Sequence, residues 1–476
     1  MFTTIRSASL AGIRAQPIEV EVDVAKGLPN FVVVGLADSA IRESKERIRA
    51  AVKNCGFKFP TRRITINLAP ADLRKEGTAL DLPAALGIIA ADRPELRQHP
   101  FFEEFLFCGE LSLDGRIKAI RGALPIALAA RDAGLKGIFL PRDNAAEAAA
   151  IDEIEIVAVD NLPETVEIIL GNLPRPPRPE AAADQQPVAE QVDFADVLGQ
   201  QLAKRALEIA AAGNHNLLFV GPPGSGKTML ARRLPTILPE LTFEEALETT
   251  IIHSVAGLIA PGSGLLRQRP FRQPHHTISD VALIGGGSTP RPGEVSLAHN
   301  GVLFLDEFPE FKRSALEVLR QPLESRAITI SRAQAQACFP AAFLLLTAMN
   351  PCPCGHYGDP RRECCCTATQ IQRYRHKLSG PLLDRIDLHV EVPAVAPEEL
   401  INHDPSKQEE TSAEIRARVV EARARQEERR PQGGGNAALS DRELERFCVL
   451  DQPSRLLLQK SMDRLGLSAR AYSRIL

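Results

Sequence analysis

At 476 residues and a formal charge of −3, the chain is long enough for about three domains and too evenly charged to hold nucleic acid by bulk electrostatics. No apolar run approaches the roughly 18 residues of a membrane span, and the N-terminus has no signal-peptide pattern, so a cytoplasmic protein is expected. Nine cysteines in such a chain point to thiols or a metal site before disulfides.

Ile18, Val20, Val22 and Val24 alternate with polar residues, the period of a half-buried strand, and Ile64, Ile66 and Leu68 repeat it. Phe31 to Val34 reads as a more buried strand. Asp38 and Ser39 cap a predicted helix with Ile41, Ile48 and Val52 on one face, ending near Gly56. A helix over Ala123–Ala133 and strands at Gly137–Leu140 and Ile154–Val159 complete a first α/β region, 1–171. Residues 172–192 open with Asn-Leu-Pro-Arg-Pro-Pro-Arg-Pro-Glu and are too poor in apolar side chains for a core. They read as a linker; a long loop ordered over a domain surface is the alternative.

Residues 193–393 carry nucleotide chemistry. Gly221-Pro222-Pro223-Gly224-Ser225-Gly226-Lys227-Thr228 follows the apolar run Leu217–Val220 and opens a helical pattern, the context a phosphate-binding loop needs. Its N–H groups surround phosphates, Lys227 reaches the β and γ phosphates, and the Thr228 hydroxyl holds Mg²⁺. Gly301-Val-Leu-Phe-Leu-Asp-Glu307 supplies a buried strand ending in two carboxylates. Asp306 is placed to organise Mg²⁺ through its water shell, and Glu307 to polarise the attacking water. A third strand ends in Asn350, read either as a sensor touching γ-phosphate and water or as a turn residue before Pro351. ATP and Mg²⁺ are the expected ligands.

Cys352, Cys354, Cys364 and Cys366 form two C-x-C pairs around a loop containing Gly355 and Gly358. Four thiolates in a tetrahedron would make a closed, structural Zn²⁺ site, with Cys365 spare and His356 as an alternative ligand. Free thiols or a redox role is the competing reading. Residues 394–476 read as helical: Ile415, Val419 and Ala422 share a face, Gly433-Gly434-Gly435 breaks it, and helical patterns follow near 440–448 and 453–465. Arg474-Ile475-Leu476 stands inside such a pattern, so a longer natural chain is expected.

Several segments together resemble the magnesium-chelatase-like AAA+ ATPases: Asp196-Val-Leu-Gly-Gln200, the phosphate loop, Phe271-Arg-Gln-Pro-His-His-Thr277, Gly293-Glu-Val-Ser-Leu-Ala-His-Asn-Gly301, Asp306-Glu307, Asn350-Pro-Cys-Pro-Cys354 and Leu382-Leu-Asp-Arg-Ile386. Nearly the whole chain is similar to the ComM-like (YifB-type) family among them. The resemblance implies a P-loop AAA+ module, with a parallel sheet flanked by helices and a helical lid over 394–476. It places Gly199 and Gln200 near the adenine and Arg470 over the nucleotide as a second sensor. Arg385 becomes an arginine finger reaching a neighbouring subunit's γ-phosphate, which implies a homo-oligomer, a hexameric ring.

Arg74-Lys-Glu-Gly-Thr-Ala79 and Gly115-Arg-Ile-Lys-Ala-Ile-Arg-Gly-Ala-Leu124 resemble the two catalytic segments of the Lon (S5-type) protease domain. Ala79 stands at the nucleophile position and Leu124 at the lysine position, so a Lon-protease-like α/β domain without its dyad is implied. Two inserts typical of the AAA+ branch would line a ring's channel. One surrounds Gly285 and Gly286, with Arg267, Arg269, Arg272, His275 and His276 nearby; the other is a hairpin over Ala327–Phe339 with Arg326 and Arg332. Glycines and cations suit tracking of a phosphate backbone; an inter-subunit or core role is the alternative. The family implies a helicase-type motor driving branch migration on single-stranded and branched DNA. Its setting would be homologous recombination of incoming DNA during natural transformation, beside recombination proteins. An ATPase subunit of a metal chelatase, or a protein-remodelling machine, is the alternative.

Overall fold

The computed structural model describes residues 1–75, 77–180, 192–287, 290–332, 335–394, 409–430, 433, 435–467 and 469–476. The alternation at 18–24 becomes the strand Arg14–Ala25, flanked by Phe2–Ala11 and Arg63–Ala69, both antiparallel to it. Asn30–Val34 adds a parallel edge beside Arg63–Ala69. Successive strand side chains face opposite ways, so Ile18, Val20, Val22 and Val24 enter one core cluster with Ile64, Ile66 and Leu68. The helix Ser39–Asn54 joins this core through Ile41, Ile48 and Val52, capped by Asp38, whose carboxylate accepts from the Ile41 N–H at 2.8 Å. A second helix, Asp81–Asp92, carries no sequence signal because it is buried on every side. Three parallel strands, Phe105–Phe107, Gly137–Pro141 and Glu155–Val159, form the next sheet.

Residues 172–180 lie along this first region. Arg175 pairs with Glu155 at 2.6 Å, and Arg178 donates to the carbonyls of Ala149 (2.8 Å) and Ile151 (2.6 Å). Residues 181–191 of the expected linker lie outside the described residues.

The nucleotide region is built on five parallel strands in the order Phe271–Arg272, Val302–Leu305, Leu344–Met349, Leu217–Val220, Leu388–Glu391. Val302, Phe304, Leu344 and Leu346 face one core cluster, while Leu303, Leu305 and Leu345 face another. Burial on both faces is what turns these strands into continuous apolar runs. The C-terminal ends of three central strands therefore deliver Gly221, Asp306 and Asn350 to one edge, where ligands bind in open parallel sheets.

The helix Ser412–Arg429 packs on Gln201–Gly213 and Lys227–Ile237, burying Ile415 and Val419, each worth roughly 2 kcal/mol. Asp441–Phe447, Gln452–Leu465 and Ala469–Ile475 follow. The two regions touch directly. Leu247 and Ile251 of helix Phe243–Ala256 pack onto the cluster containing Leu124, and the Gly122 N–H donates to Ser254 O at 3.0 Å. No helix among the described residues is long and apolar enough to cross a membrane.

Candidate nucleotide site

The loop after Leu217–Val220 closes on itself around Lys227. Gly226 takes φ +86°, a left-handed conformation that suits glycine, and starts the helix Lys227–Ile237. The Lys227 ammonium donates to the carbonyls of Gly221 and Pro222, both at 2.8 Å, and to Asn350 Oδ1 at 3.3 Å. Burial lowers its pKa from the ordinary lysine value, and the nearby Asp306 carboxylate opposes that shift. The Thr228 hydroxyl donates to Asp306 Oδ2 at 2.6 Å. Oxygen donors of this kind, one hydroxyl and one carboxylate side by side, fit Mg²⁺. Gln200 reaches the same loop, its amide donating to Ser225 O at 3.3 Å and Pro393 O at 2.7 Å, while the Gly199 N–H donates to Glu409. Lys227, Thr228, Asp306, Asn350 and Gln200 thus meet at one edge, with Pro222, Pro223 and Gly224 in the loop between them.

Glu307 follows Asp306 in a left-handed conformation, φ +52°, with its N–H donating to Asp306 Oδ1 at 2.9 Å. The turn leaves its side chain 57% exposed. His276 Nδ1 lies 2.9 Å from Glu307 Oε2, and the His275 ring packs 4.1 Å from that of His276. The fold thus sets His276 on the carboxylate expected to handle water. No local motif marks such a pair, because strands distant in sequence bring it together.

Arg385 is buried, its side chain 9% exposed, and its guanidinium is held by Glu324 and the Pro381 carbonyl. Arg470 stands in the helix Ala469–Ile475, its side chain outside the described residues. Gly285 and Gly286 are buried in a ribbon paired with Arg291–Pro292, where a Cβ on Gly285 would strike the Arg291 carbonyl. Both glycines are buried within the chain itself, and close packing requires glycine at Gly285. Arg269 and Arg272 are spent in ion pairs with Glu245 (2.7 Å) and Glu294 (2.7 Å). The hairpin is present as Ala327–Arg332 paired with Ala335–Pro340; the Arg332 side chain lies outside the described residues. Arg326 lies at its base, away from the loop edge.

The four cysteines converge. Cys352 Sγ is 3.4 Å from Cys354 Sγ and 3.7 Å from Cys364 Sγ, and Cys354 to Cys364 is 3.6 Å. Cys366 joins them within 4.8 Å, whereas Cys365 is exposed. A tetrahedral zinc with bonds of 2.3 Å separates its sulfurs by about 3.8 Å, so the donor set fits that ion. Backbone N–H groups of Tyr357 and Cys366 point at Cys352 and Cys364 sulfurs, the hydrogen bonds that thiolates accept. The cluster abuts the phosphate loop: a Cβ on Gly355 would stand 2.5 Å from Pro223 Cδ.

This arrangement agrees with what the chain is similar to. Residues 193–400 match the family described as magnesium chelatase, subunit ChlI, while 20–144 and 409–476 match two companion ChlI descriptions, the latter its C-terminal part. The Competence protein ComM of Haemophilus influenzae is 45% identical over 99% of this chain and 91% of its own length. An uncharacterized protein YifB of Salmonella typhimurium is 44% identical over the same shares. Lon protease 2 of Bacillus subtilis is 29% identical over 34% of this chain and 31% of its own length. With a mixed α/β fold, an ATPase-type loop edge and full-length similarity at this level, the chain belongs to the ComM-like family of magnesium-chelatase-like AAA+ proteins.

Proposed function

We propose that the protein is a cytoplasmic, ATP-driven DNA motor. It works as a hexameric ring on single-stranded and branched DNA, driving branch migration as incoming DNA recombines during natural transformation. The observation that carries the ATPase part is the meeting of Lys227, Thr228, Asp306 and Asn350 at one sheet edge beside Glu307. The DNA part is supported by full-length similarity to a relative named a competence protein.

In this reading Lys227 leaves the Gly221 and Pro222 carbonyls to pair with phosphate oxygens, and Thr228 with Asp306 holds Mg²⁺, which screens charge on the transferred phosphoryl group. Glu307 accepts a proton from the attacking water once His276 yields its oxygen. Arg385, released from Glu324, completes a neighbour's site, which is why turnover needs the ring. Zinc among Cys352, Cys354, Cys364 and Cys366 fixes the segment joining Asn350 to Pro223. The first region serves as a Lon-like domain without peptidase chemistry, since Ala79 packs against the apolar cluster that holds Leu124. The proposed division is 1–171, 172–192, 193–393 and 394–476.

The matched family descriptions name magnesium chelatase, which favours a second reading: the ATPase of a metal-insertion machine. ATP turnover measured with no DNA, single strands and branched junctions separates the two, with Lys227→Ala and Glu307→Gln as controls. Several-fold stimulation by junctions, and strand displacement lost in both variants, is the expected result. Turnover indifferent to every DNA sinks the motor.

A further inference from the structure

At the opposite end of the nucleotide sheet lies a cavity of about 320 Å³. Gly301 and Leu344, at the starting ends of the Val302–Leu305 and Leu344–Met349 strands, line it, so it is separate from the edge that holds Asp306 and Asn350. Five arginines converge on it: Arg269, Arg326, Arg423, Arg429 and Arg430. Two carboxylates, Glu245 and Glu427, share the wall. Glu245 is taken by Arg269 at 2.7 Å, and Arg430 has Glu443 at 3.0 Å.

Three cations make no ion-pair contact with a carboxylate among the described residues, although Glu245 and Glu427 lie near enough to act on Arg423. Arg423 donates only to a neutral group, the Ala211 carbonyl, at 2.7 and 2.9 Å. Arg429 donates to the Asn436 amide oxygen at 2.5 Å and lies over the Phe447 ring. The Arg326 guanidinium, exposed at the rim, has no hydrogen-bond or ion-pair partner among the described residues. Gathering like charges in a cavity is unfavourable unless an anion joins them. Burial, with Arg269 adding repulsion and Glu245 and Glu427 opposing it, pushes Arg423 down to about 10; at Arg326 the partial covering of the guanidinium, then Arg430, lowers it.

We propose that this cavity is a second anion site, built for a phosphate group, that ties the base of the Ala327–Pro340 hairpin to the Ser412–Arg429 helix. Arg326 directly precedes the hairpin and Ala342 follows it, while Arg423 and Arg429 belong to the helix and Arg430 caps it. Guanidinium forks suit phosphate oxygens, two N–H groups to each pair. The phosphate comes either from a free polyphosphate compound or from a nucleic-acid backbone. A backbone source would make the site a point where DNA reaches both hairpin and lid, without use of the hairpin tip.

The test uses the full chain saturated with Mg–ADP, so that the loop at 221–228 is already filled. Pyrophosphate is titrated by calorimetry at constant ionic strength, with hydrogen exchange followed in parallel. The expected result is saturable binding, weakened about tenfold or more by Arg326→Gln and by Arg423→Gln, with ADP affinity unchanged. Exchange across 327–332 and 423–430 slows together on binding. Arg326 stands at the rim, so its variant keeps the test valid should the Arg423 variant misfold. A short single-stranded oligonucleotide that displaces pyrophosphate assigns the source to a nucleic-acid backbone; failure to displace it assigns a free polyphosphate. No binding at constant ionic strength, or binding that Arg326→Gln leaves unchanged, overturns the proposal.

Discussion

Two sheets in this molecule are built alike and furnished in opposite ways. The strands Leu217–Val220, Val302–Leu305 and Leu344–Met349 end in groups that bond one another across the edge: Lys227, Thr228, Asp306 and Asn350. The strands Gly137–Pro141 and Glu155–Val159 run into Arg142 and Asp160, which pair with each other at 2.8 Å, while Ala79 packs against the apolar cluster that contains Leu124 and Cys108. Even the Cys108 thiol is inert there, its pKa pushed up to about 12 by burial. A buried polar group costs stability unless partners compensate it, so such groups persist where they bind something and give way to apolar packing elsewhere. The nucleotide edge gathers groups that suit a phosphate and a metal, whereas the charged ends of the other sheet satisfy each other.

The sharpest way to break this contrast is to exchange the furnishing. Lys227→Ala should weaken nucleotide binding by roughly a hundredfold or more, read with a fluorescent ATP analogue, while the thermal transition survives. The counterpart, Leu124→Lys, should leave ligand chemistry alone and cost about 3–5 kcal/mol, because a fully buried site offers its ammonium no partner. Unfolding by denaturant measures it, and an unchanged midpoint would show that the cluster is open to water. Ala79→Ser, a small change, should confer no peptide cleavage.

Removing the metal sharpens the same contrast. Cys352→Ser, or chelation at neutral pH, should lower ADP affinity several-fold, because the cluster rests on Pro223 through Gly355. Hydrogen exchange in residues 1–171 should not change, since the staple belongs to the nucleotide edge alone. Zinc content by atomic spectroscopy, near one per chain and lost in the variant, is the companion reading. A smaller effect is expected at His276. Its substitution by Ala frees Glu307 Oε2, so DNA-independent turnover should rise about two- to fivefold with nucleotide affinity unaltered. A fall instead would make His276 a residue that positions Glu307.

The parts legible in sequence are contiguous ones. The phosphate loop, Asp306-Glu307 and the C-x-C pairs each sit within a short stretch, and the strands at 18–24 and 64–68 declare themselves by period. What escaped depends on distance or on the lack of a period. Helix Asp81–Asp92 is apolar all round, so nothing in its spacing marks a face. The pairing of His276 with Glu307, the hold of Glu324 on Arg385 and the gathering of five arginines are set by tertiary packing between segments far apart in sequence. The close approach of Gly285 to the Arg291 carbonyl escaped for a related reason: glycine serves tight packing as well as exposed loops, and the spacing alone does not name the neighbour.

The boundary between the two regions offers the subtlest test. Glu147 is almost fully buried in the helix Arg142–Ala148, beside the segment where the Gly262 N–H donates to Asp143 O at 2.9 Å. Burial raises its carboxyl to about 7, outweighing the Asn144 bond at 2.9 Å that lowers it. The native state thus holds a proton that the unfolded chain releases near 4.5. Its contribution is fully present below that value and is lost as pH rises toward and through 7, an upper bound of roughly 3 kcal/mol. Glu147→Gln keeps the shape and removes the titration, so its melting temperature should track the wild type at pH 4.5 and exceed it progressively up to pH 8. A difference that stays flat over that window would mean that water reaches Glu147, and that the two regions part at this boundary more readily than their apolar contact at Leu247 and Ile251 implies.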